Sequence, residues 1–211
     1  MDYVFPAEIA ALRARKSGKF QELAVLEWIK AKNLRGTYID VGAHVGNHSL
    51  FFLNHCLSEQ VISIEAHPTI RELLKGNIKR NAKMFTNWEC CEAAAWHSDN
   101  EHVLLSVIPR NNAGHTHVVT DIKQASVKVP TIRVDSLILE SKPVVLKIDV
   151  EDVEEQVIAG AQNVLAQHPV VIAERHTSKQ LADFEVLLEP FGYKRTMYWS
   201  PIHTYAWEAT C

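Results

Sequence analysis

An acid and two closely spaced glycines could form a ligand-binding turn near the start of the chain. Residues Gly36 to Phe52 read GTYIDVGAHVGNHSLFF: an apolar strand, Asp40 near its end, Gly42 and Gly46, and then a helix. A second apolar run ends in Glu65. Ligands of α/β sheets bind at the carboxyl ends of the strands, where glycine lets a ligand approach the backbone closely. We therefore expect this turn and Glu65 to contact a ligand.

The spacing of the two glycines limits which ligand this is. A dinucleotide turn needs G-x-G-x-x-G, and a phosphate-binding loop needs Gly-Lys-Ser/Thr; neither pattern is present here. The pattern D-x-G-x-x-x-G with an acid on the next strand suits a cationic amino-acid nucleoside, because acids can bind its ammonium group and its ribose hydroxyls. S-adenosylmethionine fits this description. The alternative is an ordinary tight turn between a strand and a helix.

A second segment brings a lysine and an acid to the same sheet edge. Val144 to Gln156 reads VVLKIDVEDVEEQ, a buried strand with Lys147 near its end and Asp149 directly after it. Strands inside a parallel sheet are apolar on both faces, so the first acid after such a run lies at the ligand-binding rim. Side chains alternate along a strand, so Lys147 and Asp149 should share one side. A buried lysine needs an acid or the site itself as its partner.

Alternating strands and helices are expected to position these residues. Phe20 to Lys32 places Leu23, Leu26, Trp28 and Ile29 on one face, which predicts an amphipathic helix before the sheet that covers the edge of the cofactor. Pro68 indicates one helix start, and Thr177-x-x-Gln180 predicts a capping box for a helix to Leu188. Seven strands are predicted, at Tyr38–Val41, Val61–Glu65, Trp88–Ala94, Val144–Asp149, Val170–Glu174, Tyr193–Tyr198 and Thr204–Glu208.

The pattern between Glu101 and Val134 predicts an antiparallel insertion. Its short alternating runs are separated by a turn at Asn111-Asn112-Ala113-Gly114. Such an insertion could select the acceptor, because a generic cofactor-binding sheet relies on loops for specificity. His115 and His117 would face the same way on one strand, but without a third ligand we interpret them as surface residues.

Four segments resemble the FkbM-type family of S-adenosylmethionine-dependent methyltransferases. They are YIDVGAHVGNHSLFF, VISIEAHPTIRELLKGNIKRN, VDSL and VVLKIDVEDVEEQVIAGAQNVL, and together they extend from about Thr37 to Glu174. The resemblance implies an α/β fold of the Rossmann-like class I methyltransferase type. This fold has a mostly parallel seven-stranded sheet with helices on both faces, here with the small antiparallel insertion.

The resemblance also assigns residues to S-adenosylmethionine. It implies that Asp40, Gly42 and Gly46 line the methionine end, that Glu65 binds the ribose, and that Ala94 borders the adenine. The full predicted cofactor set is Asp40, Gly42, Ala43, His44, Gly46, Asn47, Glu65 and Ala94. The chain departs from the family pattern twice: Asp152 stands where Gly is usual, and His44 stands where Asn is frequent.

Asp149 is the first candidate for the base or the acceptor-orienting group. Lys147 could tune Asp149 or lower the pKa of an acceptor, and Glu151 or Glu174 is the second candidate. The predicted catalytic set is Asp149, Lys147 and Glu151. Two alternatives remain open: Asp149 could cap the following helix, or Asp149, Glu151 and Glu174 could bind a hard cation such as Mg²⁺. We predict no metal.

Composition favours a single enzyme domain. The chain has 211 residues, 47% of them hydrophobic, and a formal net charge of −3 without a Lys/Arg-rich block, which disfavours nucleic acid as a partner. The sequence shows neither a membrane-spanning run nor a signal peptide, so we expect a cytoplasmic protein with no membrane partner. We interpret the four cysteines as reduced thiols.

Function is predicted as O-methylation of a hydroxyl on a small molecule or glycan. No D/N-P-P-Y motif of the kind that amino-methylating DNA enzymes use occurs. The alternatives are a non-catalytic S-adenosylmethionine-binding module, for which Asp152 is the only hint, and a nicotinamide-dependent oxidoreductase, which the glycine spacing disfavours. Residues 1–35 are predicted as a helical preface and residues 36–211 as the cofactor-binding domain. The sequence leaves the acceptor and the oligomeric state open.

Overall fold

A computed structural model of the protein describes residues 20–106, 118–119 and 126–210. The helices are α1 (Leu23–Ala31), α2 (Asn47–His55), α3 (Pro68–Asn81), α4 (Glu154–Ala159), α5 (Gln162–Leu165) and α6 (Ser178–Leu188). The strands are β1 (Arg35–Val41), β2 (Leu57–Ile64), β3 (Trp88–Cys91), β4 (Ala94–Ala95), β5 (His102–Ser106), β6 (Ser126–Ile132), β7 (Pro143–Ile148), β8 (Val170–Glu174), β9 (Tyr193–Trp199) and β10 (Thr204–Ala209). None of the helices in these ranges is long and apolar enough to cross a bilayer.

A seven-stranded sheet forms the centre of the molecule, in the order β3-β2-β1-β7-β8-β10-β9. Neighbouring strands are parallel from β3 to β8, and β10 is antiparallel to both β8 and β9. This is the predicted Rossmann-like class I methyltransferase sheet. Because β1 and β7 are the inner strands, Ile39, Val41, Leu146 and Ile148 are fully buried, as expected for strands covered on both faces.

Helices cover both faces of the sheet, which confirms the predicted layers. One face packs against α4, α5 and α6 through the side chains of Val157, Leu165 and Phe184. The other face packs against α1, α2 and α3, to which Leu26 and Leu74 contribute. Side chains of this second face that lie near the carboxyl ends of the strands form the site described below.

The helix before the sheet begins at Leu23, three residues after its predicted start. Its buried side is formed by Val25, Leu26 and Ile29, whereas Leu23 is exposed. The prediction that placed Leu23 on the buried face was therefore wrong, because the buried stripe is shifted toward Val25. An edge-to-face ring contact between Phe20 and Phe51, with centroids 5.1 Å apart, joins the start of this segment to α2.

The predicted strand Trp88–Ala94 is too long, because the chain leaves the main sheet after Cys91. Ala94 and Ala95 instead form β4 of a second, three-stranded sheet with the order β4-β6-β5. Ala94 pairs with Thr131 in parallel, and β5 pairs with β6 in antiparallel fashion. The described part of the insertion is thus antiparallel as predicted. The predicted turn at 111–114 and the two histidines His115 and His117 lie outside the described residues.

Two predicted helix starts are confirmed. Pro68 is the first residue of α3, and Thr177 and Gln180 form a complete capping box at the start of α6. In that box the Thr177 side chain accepts a hydrogen bond from the Gln180 backbone N–H, and the Gln180 side chain accepts one from the Thr177 backbone N–H. Both signals were readable because a cap depends only on local sequence.

Candidate active site

The site lies where the strand connections diverge, at the carboxyl ends of β1 and β7. From β1 the chain passes through α2 to β2 on one side, while β7 lies against β1 on the other side. In open α/β sheets ligands bind at this kind of switch point. In the pairing of β1 with β7, Asp40 lies directly beside Lys147, and in the pairing of β7 with β8, Lys147 lies beside Ile172.

The glycines of the turn after β1 are required by close packing of the protein itself. Gly42 and Gly46 both have positive φ, 71° and 88°. A Cβ on Gly42 would lie 1.8 Å from the Asp149 carbonyl oxygen, and one on Gly46 would lie 2.6 Å from the Trp88 ring. The Gly42 and Ala43 N–H groups both donate to the Ile64 carbonyl. The turn therefore ties β1 to β2 and β7, and cofactor contact by Gly42, Ala43 and Gly46 stays a prediction.

Asp40 is completely buried and is occupied by protein partners. Its Oδ2 accepts hydrogen bonds from the Ser49 backbone N–H at 3.1 Å and from the Ser49 hydroxyl at 2.6 Å, which secures the first turn of α2. Its Oδ1 lies 3.2 Å from Lys147 Nζ. Burial alone would raise the pKa of Asp40, but the Lys147 ammonium and the Ser49 hydroxyl hold that pKa below its usual value. These contacts give Asp40 a positioning role; direct contact with the cofactor stays a prediction.

Lys147 joins the turn to the acidic edge. Its Nζ donates to the Gly42 carbonyl at 3.1 Å and lies 3.4 Å from Asp149 Oδ2, in addition to its pairing with Asp40. Burial would lower the pKa of Lys147, but the surrounding carboxylates Asp40, Asp149 and Glu22 raise it above its ordinary value. Lys147 is therefore a permanent cation, and the contact with Asp149 shows that both side chains lie on one side of the strand, as predicted.

Asp149 is the most accessible acid of this group, with 38% of its side chain exposed. The alternative that it caps the following helix does not match the structure: α4 begins at Glu154, its N-cap residue is Val153, and no side chain caps it. Glu151 follows in a left-handed turn with φ of 55°. The structure thus leaves the Asp149 carboxylate partly exposed, and the catalytic roles of Asp149, Lys147 and Glu151 stay predictions.

An open cleft lies beside Lys147 and Asp149. Its polar lining is Glu22, His48, Lys147, Asp149, Glu174 and Thr204, and its apolar lining includes Val25, Leu26, Ile29 and Phe52. The side chains of α1 thus form one wall of the cleft. This agrees with the expected position of the first helix at the edge of the site.

Glu22 and His48 are the residues that sequence analysis missed. The sequence patterns assign neither of them to the site. His48 Nε2 lies 3.4 Å from Glu22 Oε2. Burial, reinforced by the Lys147 charge, lowers the pKa of His48 to about 4. No local signal marked either residue, because only tertiary packing brings α1 over the end of β7.

Glu65 joins the turn after β1 to the start of α3. Its two carboxylate oxygens accept the backbone N–H groups of His44 at 2.9 Å and His67 at 2.8 Å. Burial raises the pKa of Glu65, although these two N–H donors oppose the rise. Each carboxylate oxygen can accept more than one hydrogen bond, so capacity for two ribose hydroxyls remains. The ribose assignment stays a prediction, with a structural role added to it.

The remaining predicted cofactor residues lie around the same turn or next to it. His44 has a left-handed backbone with φ of 54°. Asn47 begins α2, and its Oδ1 accepts the Gln21 N–H at 3.3 Å. Ala94 is buried in β4 beside Ala66 and Trp96, apart from the cleft lined by Asp149. Its contact with adenine stays a prediction.

Asp152 preserves the turn in which the family usually has Gly. Its φ is 72°, a conformation that glycine adopts without strain. Asp152 Oδ1 accepts a 2.6 Å hydrogen bond from Gln180 Nε2, the side chain that also completes the capping box of α6. Next to this turn, Glu154 and Arg175 form a buried ion pair. The departure from Gly therefore leaves the turn formed and tied to α6.

The sequence matches a known family model over most of its length. The model is described as the methyltransferase FkbM domain and matches residues 40–195. The chain belongs to this family. The cofactor of the family is S-adenosylmethionine, and the matched range contains every predicted cofactor and catalytic residue. A comparison with curated proteins gave no significant match.

Solved structures agree with the FkbM assignment at the level of the fold. Methyltransferase FkbM from Methylobacillus flagellatus KT has a TM-score of 0.62 and 16% identity, and the alignment covers 82% of this chain and 43% of that chain. This chain therefore spans less than half of that protein. Precorrin-6y C5,15-methyltransferase from Geobacter metallireducens GS-15 has a TM-score of 0.52 and 14% identity, with 90% and 89% covered. At such low identity a structural likeness shows the fold alone.

The residues at the switch point fit S-adenosylmethionine. Asn47 Nδ2 and His67 Nδ1 are buried and have no hydrogen-bond partner among the described residues, and they flank the turn to which Glu65 is bound. Buried polar atoms of this kind are usually satisfied, so a polar ligand is expected beside them. Asp149 supplies a partly exposed carboxylate to the adjacent cleft. Within the described part of the chain, no three His, Cys, Asp or Glu side chains are grouped so that they could hold a metal ion.

Proposed function

We propose that this FkbM-family chain methylates a hydroxyl group of a small molecule or a glycan. The observation that supports the proposal is the exposed Asp149 carboxylate, which lies 3.4 Å from the permanent cation Lys147 at the mouth of the cleft. A carboxylate in this position can accept a hydrogen bond from a hydroxyl and orient its oxygen. The adjacent Glu174 and Thr204 offer further polar contacts for a polyhydroxylated acceptor.

S-adenosylmethionine, when bound, supplies an electrophilic methyl group on a sulfonium. The protein then has to hold the acceptor oxygen in line with that methyl group, and positioning of this kind accounts for much of the acceleration of such reactions. Asp149 orients the hydroxyl or accepts its proton, while Lys147 fixes the carboxylate. The side chains of Val25, Leu26 and Phe52 contribute an apolar lining to the cleft.

A non-catalytic binding module is the alternative that Asp152 suggested. The structure weakens this suggestion because Asp152 maintains the positive φ of the turn and is bound to Gln180. The family assignment likewise disfavours a nicotinamide-dependent oxidoreductase. The described residues therefore supply no feature that favours either alternative.

The test is Asp149→Asn, which keeps the size of the side chain and removes its charge. Labelled S-adenosylmethionine is first used to find an acceptor in a panel of glycosides, phenols and hydroxy acids. The single-turnover rate of the variant should then be about 10²–10⁴-fold lower than that of the wild type. Its affinity for S-adenosylhomocysteine, measured by calorimetry, should change far less.

Asp183→Asn is the matched control, because Asp183 is a half-exposed acid on α6 that pairs with Lys179 away from the cleft. This control should retain the rate and the affinity of the wild type. Near-normal methylation by Asp149→Asn would show that Asp149 does not handle the acceptor. Equal losses of rate and affinity would make it a cofactor ligand instead.

A further inference from the structure

Glu22 combines three features that each cost stability: a left-handed backbone, acidic neighbours and a largely buried carboxylate. It adopts a left-handed backbone with φ of 51°, although it is not glycine. It lies near the Asp149, Glu174 and Asp40 carboxylates, and only 27% of its side chain is exposed, so a charge on it is mostly shielded from water. Residues held in such backbone conformations cluster at functional sites. The convergence of these features on one side chain in the cleft therefore points to a function.

Helix capping does not explain the Glu22 carboxylate. Glu22 occupies the N-cap position of α1, but its side chain makes no capping hydrogen bond. Its backbone carbonyl alone accepts the Val25 and Leu26 N–H groups. The side chain instead points into the cleft that Asp149 also lines. The carboxylate can therefore be changed without removing a cap.

We propose that Glu22 accepts the proton of the acceptor hydroxyl, whereas Asp149 orients that hydroxyl. This division rests on the proposed function. In the step, the acceptor O–H bond breaks and its proton moves to a Glu22 carboxylate oxygen. The acceptor oxygen forms a bond to the methyl carbon with its electron pair, and the carbon–sulfur bond breaks with its pair remaining on sulfur. The positive charge of the sulfonium disappears, and the proton leaves Glu22 for solvent.

The charges around Glu22 favour this role over one for Asp149. The groups that face Glu22 are Lys147 and Asp149 on β7, Glu174 on β8, Asp40 on β1 and His48 on α2. Burial, followed by repulsion from Asp149, raises the pKa of Glu22 to about 7. A general base is most effective when its pKa lies near the working pH. Asp149, in contrast, lies 3.4 Å from the Lys147 ammonium, a contact that holds its carboxylate in place to orient an acceptor.

His48 is placed to stabilise the protonated form of Glu22. Its ring makes a hydrogen bond to the Gln21 backbone, while Nε2 has no hydrogen-bond partner among the described residues and lies 3.4 Å from Glu22 Oε2. Because the pKa of His48 is lowered to about 4, the ring is neutral at neutral pH. A neutral Nε2 can accept a hydrogen bond from protonated Glu22, so His48 acts as a positioning residue.

The first test needs no acceptor. Carboxyl ¹³C NMR is recorded as a function of pH on the full chain saturated with S-adenosylhomocysteine, and the Glu22 signal is assigned by its loss in Glu22→Gln. We expect this carboxyl to titrate near pH 7, and its midpoint to fall in Asp149→Asn because a like charge is removed. A midpoint near 4.5, the ordinary value of glutamate, would overturn the proposal.

The second test uses the acceptor that the methylation panel provides. Single-turnover rates of the wild type should rise with pH up to about 7. In Glu22→Gln this rise should be absent, and the rate should be at least tenfold lower than that of the wild type. Asp149→Asn should be slow, but its rate should still rise with pH, with the midpoint of the rise at a lower pH than in the wild type. The matched control is Glu27→Gln, which changes an exposed glutamate on the same helix and should behave as the wild type.

The outcomes separate this proposal from the proposed function. Affinity for S-adenosylhomocysteine, measured by calorimetry on every sample, should remain within about twofold of the wild type in Glu22→Gln. A wild-type pH profile in Glu22→Gln would overturn the role of Glu22 and leave the methyltransferase proposal intact. Failure of the wild-type protein to bind S-adenosylhomocysteine would overturn both.

Discussion

Replacing Lys147 with methionine should be among the most damaging single changes in the site. The substitution keeps most of the aliphatic volume and removes the ammonium. Asp40, which has no exposed surface, would then keep only its two hydrogen bonds from Ser49. Removing one partner of a buried ion pair typically costs about 3–5 kcal/mol, because the remaining charge is buried without compensation. We expect a loss of that size in the free energy of unfolding.

The double variant Lys147→Met/Asp40→Asn separates the lost pairing from the uncompensated charge. Asn at position 40 can still accept from Ser49, and it carries no charge that needs Lys147. The double variant should therefore recover a large part of the lost stability, with a coupling in the range of 0.5–3 kcal/mol that neighbouring residues show. Urea unfolding, followed by tryptophan fluorescence, measures the free energy of unfolding of the wild type, of Lys147→Met, of Asp40→Asn and of the double variant. Lys179→Met serves as the control, because it breaks a surface pair with Asp183.

The pH dependence of this loss has a defined sign. The folded-state pKa of Asp40 is below its ordinary value, so its contribution to stability is complete above the unfolded pKa and is lost as pH falls through the folded pKa. The folded-state pKa of Lys147 is raised, so its contribution is complete below about 10.5 and is lost at higher pH. In Lys147→Met the Asp40 carboxyl can protonate, so the difference from wild type should shrink in acid. A difference that is equal to that of Lys179→Met at pH 7 would refute the buried-pair argument.

Two other changes test the ribose acid and the unusual turn. Glu65→Gln should weaken binding of S-adenosylhomocysteine by about 1–3 kcal/mol in calorimetry, because the amide has only one acceptor oxygen, which the His44 or His67 N–H already uses, and so loses a carboxylate oxygen that could accept from the ribose hydroxyls; unchanged affinity would remove Glu65 from the cofactor site. Asp152→Gly should change the free energy of unfolding by less than about 1 kcal/mol, since relief of the positive φ offsets the lost bond to Gln180. Asp152→Ala loses the same bond without that relief, so it should be the less stable of the two in urea unfolding; the opposite order would contradict the strain argument.

The positions of the strand ends could be predicted because they follow from short-range patterns. Apolar runs that end in Asp40 and Asp149 identify the carboxyl edge, and period-two alternation places Lys147 on the side of Asp149. The structure confirms this placement through the contacts of Lys147 with both acids. One predicted strand failed because Ala94 pairs with Thr131 of another sheet. Such a pairing depends on residues distant in the sequence and leaves no local signal.

The function of each polar group was harder to predict than its position. The two glycines suggested space for a ligand, whereas the structure shows that Asp149 and Trp88 occupy the space at Gly42 and Gly46. Asp40 resembled a ligand-binding acid, yet it is buried against Ser49 and Lys147. A sequence shows which residues reach the edge, but burial decides which of them a ligand can contact.

Burial also explains why the acids around Lys147 should differ in their chemistry although they lie close together. Asp40 is fully buried, and Lys147 offsets its charge, so it is fixed as an anion. Asp149 shares the same ammonium and is partly exposed, which suits it to orient an acceptor. Glu22 Oε2 lies 3.4 Å from Nε2 of the neutral His48 ring, and burial raises the pKa of Glu22 to about 7. Carboxyl groups whose environments separate their pKa values can take separate parts in one reaction. Lys147 therefore keeps the charge on Asp40, whereas burial and the nearby Asp149 carboxylate leave Glu22 able to receive a proton.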